Sequence, residues 1–164
     1  MLYSIGKIDD PARRCESIYC VPWAIMAITG RKYQEVREAF WKLRKDNLPV
    51  KGAFDHEAIG VMRMLGWYTD DWFDDRIKFT LRSFPDYANA VSHFPYYLTI
   101  KGHAIAYWND QYSDPGASPF GLPVSVEHFL EMQGDKEILS YYSFKDLRRY
   151  DYSRFQLGVT GGIL

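Results

Sequence analysis

The stretch Cys20-Val21-Pro22-Trp23-Ala24-Ile25-Met26-Ala27-Ile28-Thr29-Gly30 constrains the fold more than any other. Pro22 is tolerated in the first turn of a helix, where its missing N–H would have no partner. Gly30 supplies the left-handed residue that commonly closes a helix. Trp23, Ala24, Ala27 and Ile28 recur at helical spacing, and Ile25 and Met26 fill much of the remaining circumference. A helix apolar on nearly every side is a buried, central one, so the rest of the chain has to wrap around it. A cysteine at its start lies at the positive end of the helix dipole, where a thiolate is stabilised. The other reading of Cys20 is a small buried hydrophobe.

The chain has 164 residues, enough for one domain with a real core. Its aromatic share of 17% within 47% apolar residues argues against disorder. With 20 basic and 21 acidic side chains it offers no single-sign field to hold nucleic acid or an anionic membrane. Two cysteines make no disulfide framework and fit a reducing compartment. The stretch Met1 to Lys7 lacks the basic leader and apolar core of a signal peptide. No apolar run approaches the roughly 18–20 residues that span a bilayer. These features together predict a cytoplasmic protein with no membrane association.

Along the chain, Leu2 to Ile8 reads as a short edge strand or an extended lead-in, and Ser17 as the N-cap of the Cys20 helix. A second helix presents Tyr33, Val36, Phe40 and Leu43 on one face, with Lys32, Glu35, Arg37, Glu38 and Lys42 on a solvated one, and is broken at Asn47-Leu48-Pro49. A third runs from Asp55, as cap, to Leu65, with Gly66 as terminator. Its core positions are Ala58, Val61, Met62 and Leu65, and His56 is a surface residue. Asp70, Asp71, Asp74 and Asp75, interleaved with Trp72 and Phe73, form an acidic loop without the spacing of a calcium site. A short helix is expected over Asp86 to Val91. The period then changes. Tyr96 to Ile100, His103 to Trp108 and Gln111 to Ser113 read as strands, with Asn109-Asp110 as a tight hairpin turn. A helix from Val126 to Met132 and a strand from Glu137 to Phe144 follow. The expected class is α+β, N-terminal helices packed on a C-terminal antiparallel sheet.

A thiol nucleophile needs a base in hydrogen-bond reach, and the base needs a group to orient it. His103 opens a strand directly after Gly102, and antiparallel pairing across an Asn109-Asp110 turn returns Asp114 beside the start of that strand. Asn109 and Asp110 lie at the far end of the hairpin.

A cysteine opening an apolar helix that ends in Thr-Gly, a Tyr-x-x-Val helix, and a Gly-His strand, turn and Asp resemble the papain-like cysteine peptidase fold. The likeness is to its compact bacterial and bacteriophage members, including the bacteriocin-leader-processing peptidases, and covers about Cys20 to Asp114. The resemblance implies Cys20 as nucleophile, His103 as base and Asp114 as the residue orienting it. The family usually carries a glutamine or another amide a few residues before the nucleophile as oxyanion donor. Here Arg13 to Tyr19 contains neither Asn nor Gln, which leaves Arg14 or the Ser17 hydroxyl for that role beside the Cys20 backbone N–H.

Three functions compete. The first is a thiol hydrolase, a peptidase or isopeptidase acting on a protein or peptide. The second is a papain-fold binding module, phage- or bacteria-encoded, that modulates a host protein in the host cytoplasm. Its interface anchors would come from Trp41, Trp67, Trp72, Tyr141, Tyr142, Tyr150 and Tyr152. The third is acyl transfer or deamidation on the same triad. A zinc set of Cys15, Cys20, His93 and His103 lacks a second local ligand pair. No metal or other cofactor is expected. The closing Gly161-Gly162 reads as part of a frayed terminus.

Overall fold

The computed structural model describes residues 1–6, 20–69 and 76–147. In chain order the elements are α1 (Cys20–Thr29), α2 (Tyr33–Arg44), α3 (Asp55–Met64), β1 (Trp67–Tyr68), α4 (Phe84–Val91), β2 (Tyr96–Ile100), β3 (His103–Trp108), β4 (Gln111–Ser113), β5 (Val124–Ser125), α5 (Val126–Gln133), β6 (Ser140–Ser143) and β7 (Lys145–Asp146). The class is α+β. Five strands form an antiparallel sheet in the order β5-β4-β3-β2-β6, and β1 pairs with β7 apart from it.

Strand alternation sorts the core into two layers. On one face Ala104 and Ala106 of β3, with Tyr97 of β2, meet α1, α2 and α3. The two small residues let the apolar helix lie close against the sheet. Every residue of α1 is buried, Ala24, Ile25 and Ala27 completely. On the opposite face Leu98, Ile105, Tyr107 and Tyr112 pack with Phe84 and Ala88 of α4 and Phe129 of α5. Phe84 is the hub of an aromatic cluster, edge-on to Tyr96 and Tyr107 with ring centroids 5.1 and 5.5 Å away. Of the aromatic residues expected as interface anchors, Trp67 and Tyr141 belong to these cores. Trp72, Tyr150 and Tyr152 lie outside the described residues.

The local signals set most boundaries. Gly30 takes φ 73° behind α1, against the ring of Tyr3. Asn109 and Asp110 both adopt positive φ, as a two-residue hairpin turn of the twisted kind requires. Residues 1–6 join no strand and form an extended lead-in, with Tyr3 N–H donating to Ala27 O and Ile5 N–H to Gly121 O.

Several expectations need correction. Helix α2 ends at Arg44, with Lys45 left-handed behind it, well before Pro49. Arg37 is buried rather than solvated, its guanidinium 4.6 Å from the Trp41 ring centroid, because an arginine can stack its plane on an indole. Phe54, not Asp55, is the cap of α3, and Glu57 accepts from the Phe54 N–H. Helix α4 begins at Phe84, two residues early, with Pro85 in its first turn. The last strand is shorter than expected, because Glu137 bridges to Thr80 instead of joining the large sheet. Among the described residues no helix is long and apolar enough to cross a membrane.

Candidate active site

Cys20 is the first residue of α1, with a free thiol in a buried position. His103 is the first residue of β3, directly after a Lys101-Gly102 turn in which Gly102 takes φ 70°. The β3–β4 register pairs Ala106 with Ser113, so Asp114 leaves the hairpin near the level at which His103 enters it. Its Oδ2 lies 2.7 Å from His103 Nε2. A carboxylate only accepts, so the Nε2 proton points at Asp114 and Nδ1 is the nitrogen left for the thiol. Asn109 and Asp110 stay at the far end of the hairpin, where the Asp110 carboxylate accepts from Asn89 Nδ2 at 2.8 Å.

Asp114 is fully buried and held at both ends. Its Oδ1 accepts from the Ala117 N–H at 2.6 Å, and its own N–H donates to Ser118 Oγ at 3.1 Å. The Asp-Pro-Gly-Ala turn thus closes on the side chain that it positions. A second restraint comes from α1. Trp23, one helical turn after Cys20, donates its indole N–H to Ser113 Oγ at 2.9 Å in a buried bond. That bond ties the helix bearing the thiol to the residue preceding the acid.

The electrostatics follow from this line of groups. The hydrogen bond to Asp114 and then that to Cys20 push His103 up to about 9, against the opposing effect of burial. Burial pushes the Cys20 thiol up, but the His103 hydrogen bond, backbone hydrogen bonds at Ala104 and Val21, and the nearby imidazolium charge together bring it below its ordinary value. The arrangement favours a thiolate beside an imidazolium, a nucleophile with an acid at hand.

Cys20 and His103 open onto a cleft of about 720 Å³. The N-terminus of α1 forms one side of it, the segment from Lys51 to Ile59 another, and the facing parts of β2 and β3 its floor. Arg44 braces the second wall, pairing with both carboxylate oxygens of Glu57 and donating to Gly52 O. His56 is exposed at this wall, stacked on Phe54. Arg14 and Ser17, the expected oxyanion donors, lie outside the described residues, as does Cys15. Among the described residues no group of three His, Cys, Asp or Glu side chains is placed to hold a metal ion. His93 is exposed beyond α4 and does not line the cleft.

Sequence reasoning missed Trp23 as a restraint on α1, and Tyr97 and Asp55 as residues that line the cleft. Only the helical spacing of Trp23 from Cys20 carried a signal. Tyr97 reads as one more strand former, and Asp55 as one more helix-starting acid. No protein-family model, no curated protein and no solved structure matches the chain.

Proposed function

We propose that the protein is a thiol hydrolase of the papain-like kind, acting on a protein or peptide through Cys20, His103 and Asp114. The observation that carries the reading is the continuous Asp114–His103–Cys20 line opening onto a cleft large enough for a peptide segment. The Cys20 thiolate attacks a carbonyl carbon, and the His103 imidazolium gives its Nδ1 proton to the leaving amine. The acyl-enzyme is then hydrolysed by a water from which His103 takes a proton. Asp114 keeps the ring in the tautomer and orientation that both steps need. The backbone N–H groups at the start of α1 face the developing oxyanion, and Arg14 or Ser17 is the side chain proposed to join them. Acyl transfer and deamidation would use the same first step. The binding-module alternative loses part of its support, because Trp67 and Tyr141 are core residues rather than surface anchors.

Iodoacetamide labelling followed by peptide mass spectrometry tests the reading without a substrate. At mildly acidic pH, Cys20 is expected to react at least about tenfold faster than Cys15, and His103→Ala to abolish most of that advantage. Equal rates at the two cysteines, or a Cys20 rate indifferent to His103→Ala in the folded protein, would refute an activated nucleophile.

A further inference from the structure

The cleft carries more polarity than the proposed chemistry uses. Tyr97 lines it from β2, its ring 1% exposed and its hydroxyl without a hydrogen-bond partner. A phenylalanine would fill the same volume without burying an unpaired polar atom, so a partnerless hydroxyl here, whose oxygen can accept as well as donate, asks for a ligand. Thr99 and Asp55 line the same cleft and are joined through Ser140. Thr99 Oγ1 is hydrogen-bonded to Ser140 Oγ, and Ser140 Oγ donates to Asp55 Oδ2 at 2.6 Å. A hydroxyl has one proton to give. Ser140 gives its proton to Asp55, so Thr99 must be the donor to Ser140. The relay therefore leaves only acceptors free: the lone pairs of Thr99 Oγ1 and the remaining capacity of the Asp55 carboxylate.

An acid in the first turn of α3 is ordinary helix chemistry. Asp55 goes further, because among the described residues it forms no ion pair. Lys51 and His56, which also line the cleft, are exposed side chains. Tyr97 stands close to both Asp55 and the nucleophile. Burial first, then the charges of Asp55 and Cys20, push its phenol well above the usual range.

We propose that this part of the cleft is a subsite for a basic substrate side chain, lysine or arginine. The N–H groups of its tip meet Asp55, Thr99 Oγ1 and the Tyr97 hydroxyl, while its methylene stem lies along Ala53 and Ile59. This names the substrate class for the nucleophile proposed above and rests on that reading.

The test uses dipeptidyl chloromethyl ketones carrying lysine or its uncharged isostere norleucine at either residue before the ketone. Alkylation of Cys20 is followed by intact mass, and each rate is divided by the iodoacetamide rate of the same variant. In the natural protein the lysine probe is expected to react at least about tenfold faster than the norleucine probe. Asp55→Asn should bring the ratio near one, and Tyr97→Phe should lower it part of the way. Equal rates for the two probes in the natural protein, or a lysine preference that survives Asp55→Asn, would overturn the subsite. Iodoacetamide separates the two readings, since slow alkylation by it refutes the nucleophile alone. Calorimetry of Cys20→Ala with the corresponding acetylated peptide amides then decides the subsite by itself. Tighter binding of the lysine peptide supports it, and equal affinity refutes it.

Discussion

Asp114→Asn tests the centre of the site most directly. The carboxylate is fully buried, with Oδ2 at 2.7 Å from His103 Nε2 and Oδ1 at 2.6 Å from the Ala117 N. Asparagine keeps the shape but removes the charge, and its NH₂ must face either the Ala117 N–H or the imidazole, donor against donor. His103 is pushed up from 6.5 to about 9, chiefly by Asp114. A rise of that size corresponds to about 3 kcal/mol favouring the charged ring in the folded protein. The His103 side chain is 27% exposed, and Cys20 supplies a share, so about 2 kcal/mol is assigned to the carboxylate. Because the folded value lies above the unfolded one, this stabilisation is fully present below about pH 6.5 and lost as pH rises through about 9. Urea unfolding followed by tryptophan fluorescence from pH 6 to pH 10 should show Asp114→Asn less stable by about 2 kcal/mol at the acidic end, with the difference shrinking towards the alkaline end. NMR titration of the His103 ring should give a midpoint well below that of the natural protein. A stability difference constant across the range, or an unchanged His103 midpoint, would show that Asp114 does not hold the ring charged.

Two further outcomes follow from packing. Trp23→Phe removes the buried bond to Ser113 Oγ and should cost about 1–3 kcal/mol in urea unfolding. It should also slow iodoacetamide labelling of Cys20, because α1 and the Asp114 turn are no longer tied. A Cβ at Gly121 would stand 1.9 Å from Ile5 O, whereas one at Gly102 meets nothing within 4 Å, both residues having positive φ. Gly121→Ala should therefore lower the melting temperature far more than Gly102→Ala, whose cost is about 1 kcal/mol of backbone strain, and similar shifts would refute the close approach of the lead-in segment.

The features legible in the sequence are those with local causes. Helix α1 shows itself by an unbroken apolar circumference and a closing glycine, and the β3–β4 hairpin by two residues that accept positive φ between runs of strand formers. The β3–β4 register then brings Asp114 near His103 by counting alone. Arg37 was illegible because an arginine on a charged helix face reads as solvated, and its burial between the rings of Tyr33 and Trp41 shows only in the folded side chains. The pairing of β1 with β7 joins two-residue segments far apart in sequence, too short to carry a period of their own.

The sequence by itself determined the α+β class, the order of the helices α1 to α4 and the strands β2 to β4, and the three residues on which a thiol chemistry would rest. Periodicity, turn chemistry and hairpin register act over a few residues and need no knowledge of the remainder. Only the tertiary structure decided what surrounds that line. It set the two-faced packing of the sheet, the Trp23–Ser113 tie, the partnerless Tyr97 hydroxyl, and the relay from Thr99 through Ser140 to Asp55. The relay depends on side chains 85 and 41 residues apart meeting, Ser140 with Asp55 at the start of α3 and with Thr99 across the β2–β6 pair. Such meetings are fixed by the packing of layers against one another, a property of the whole chain that no local pattern of residue types encodes.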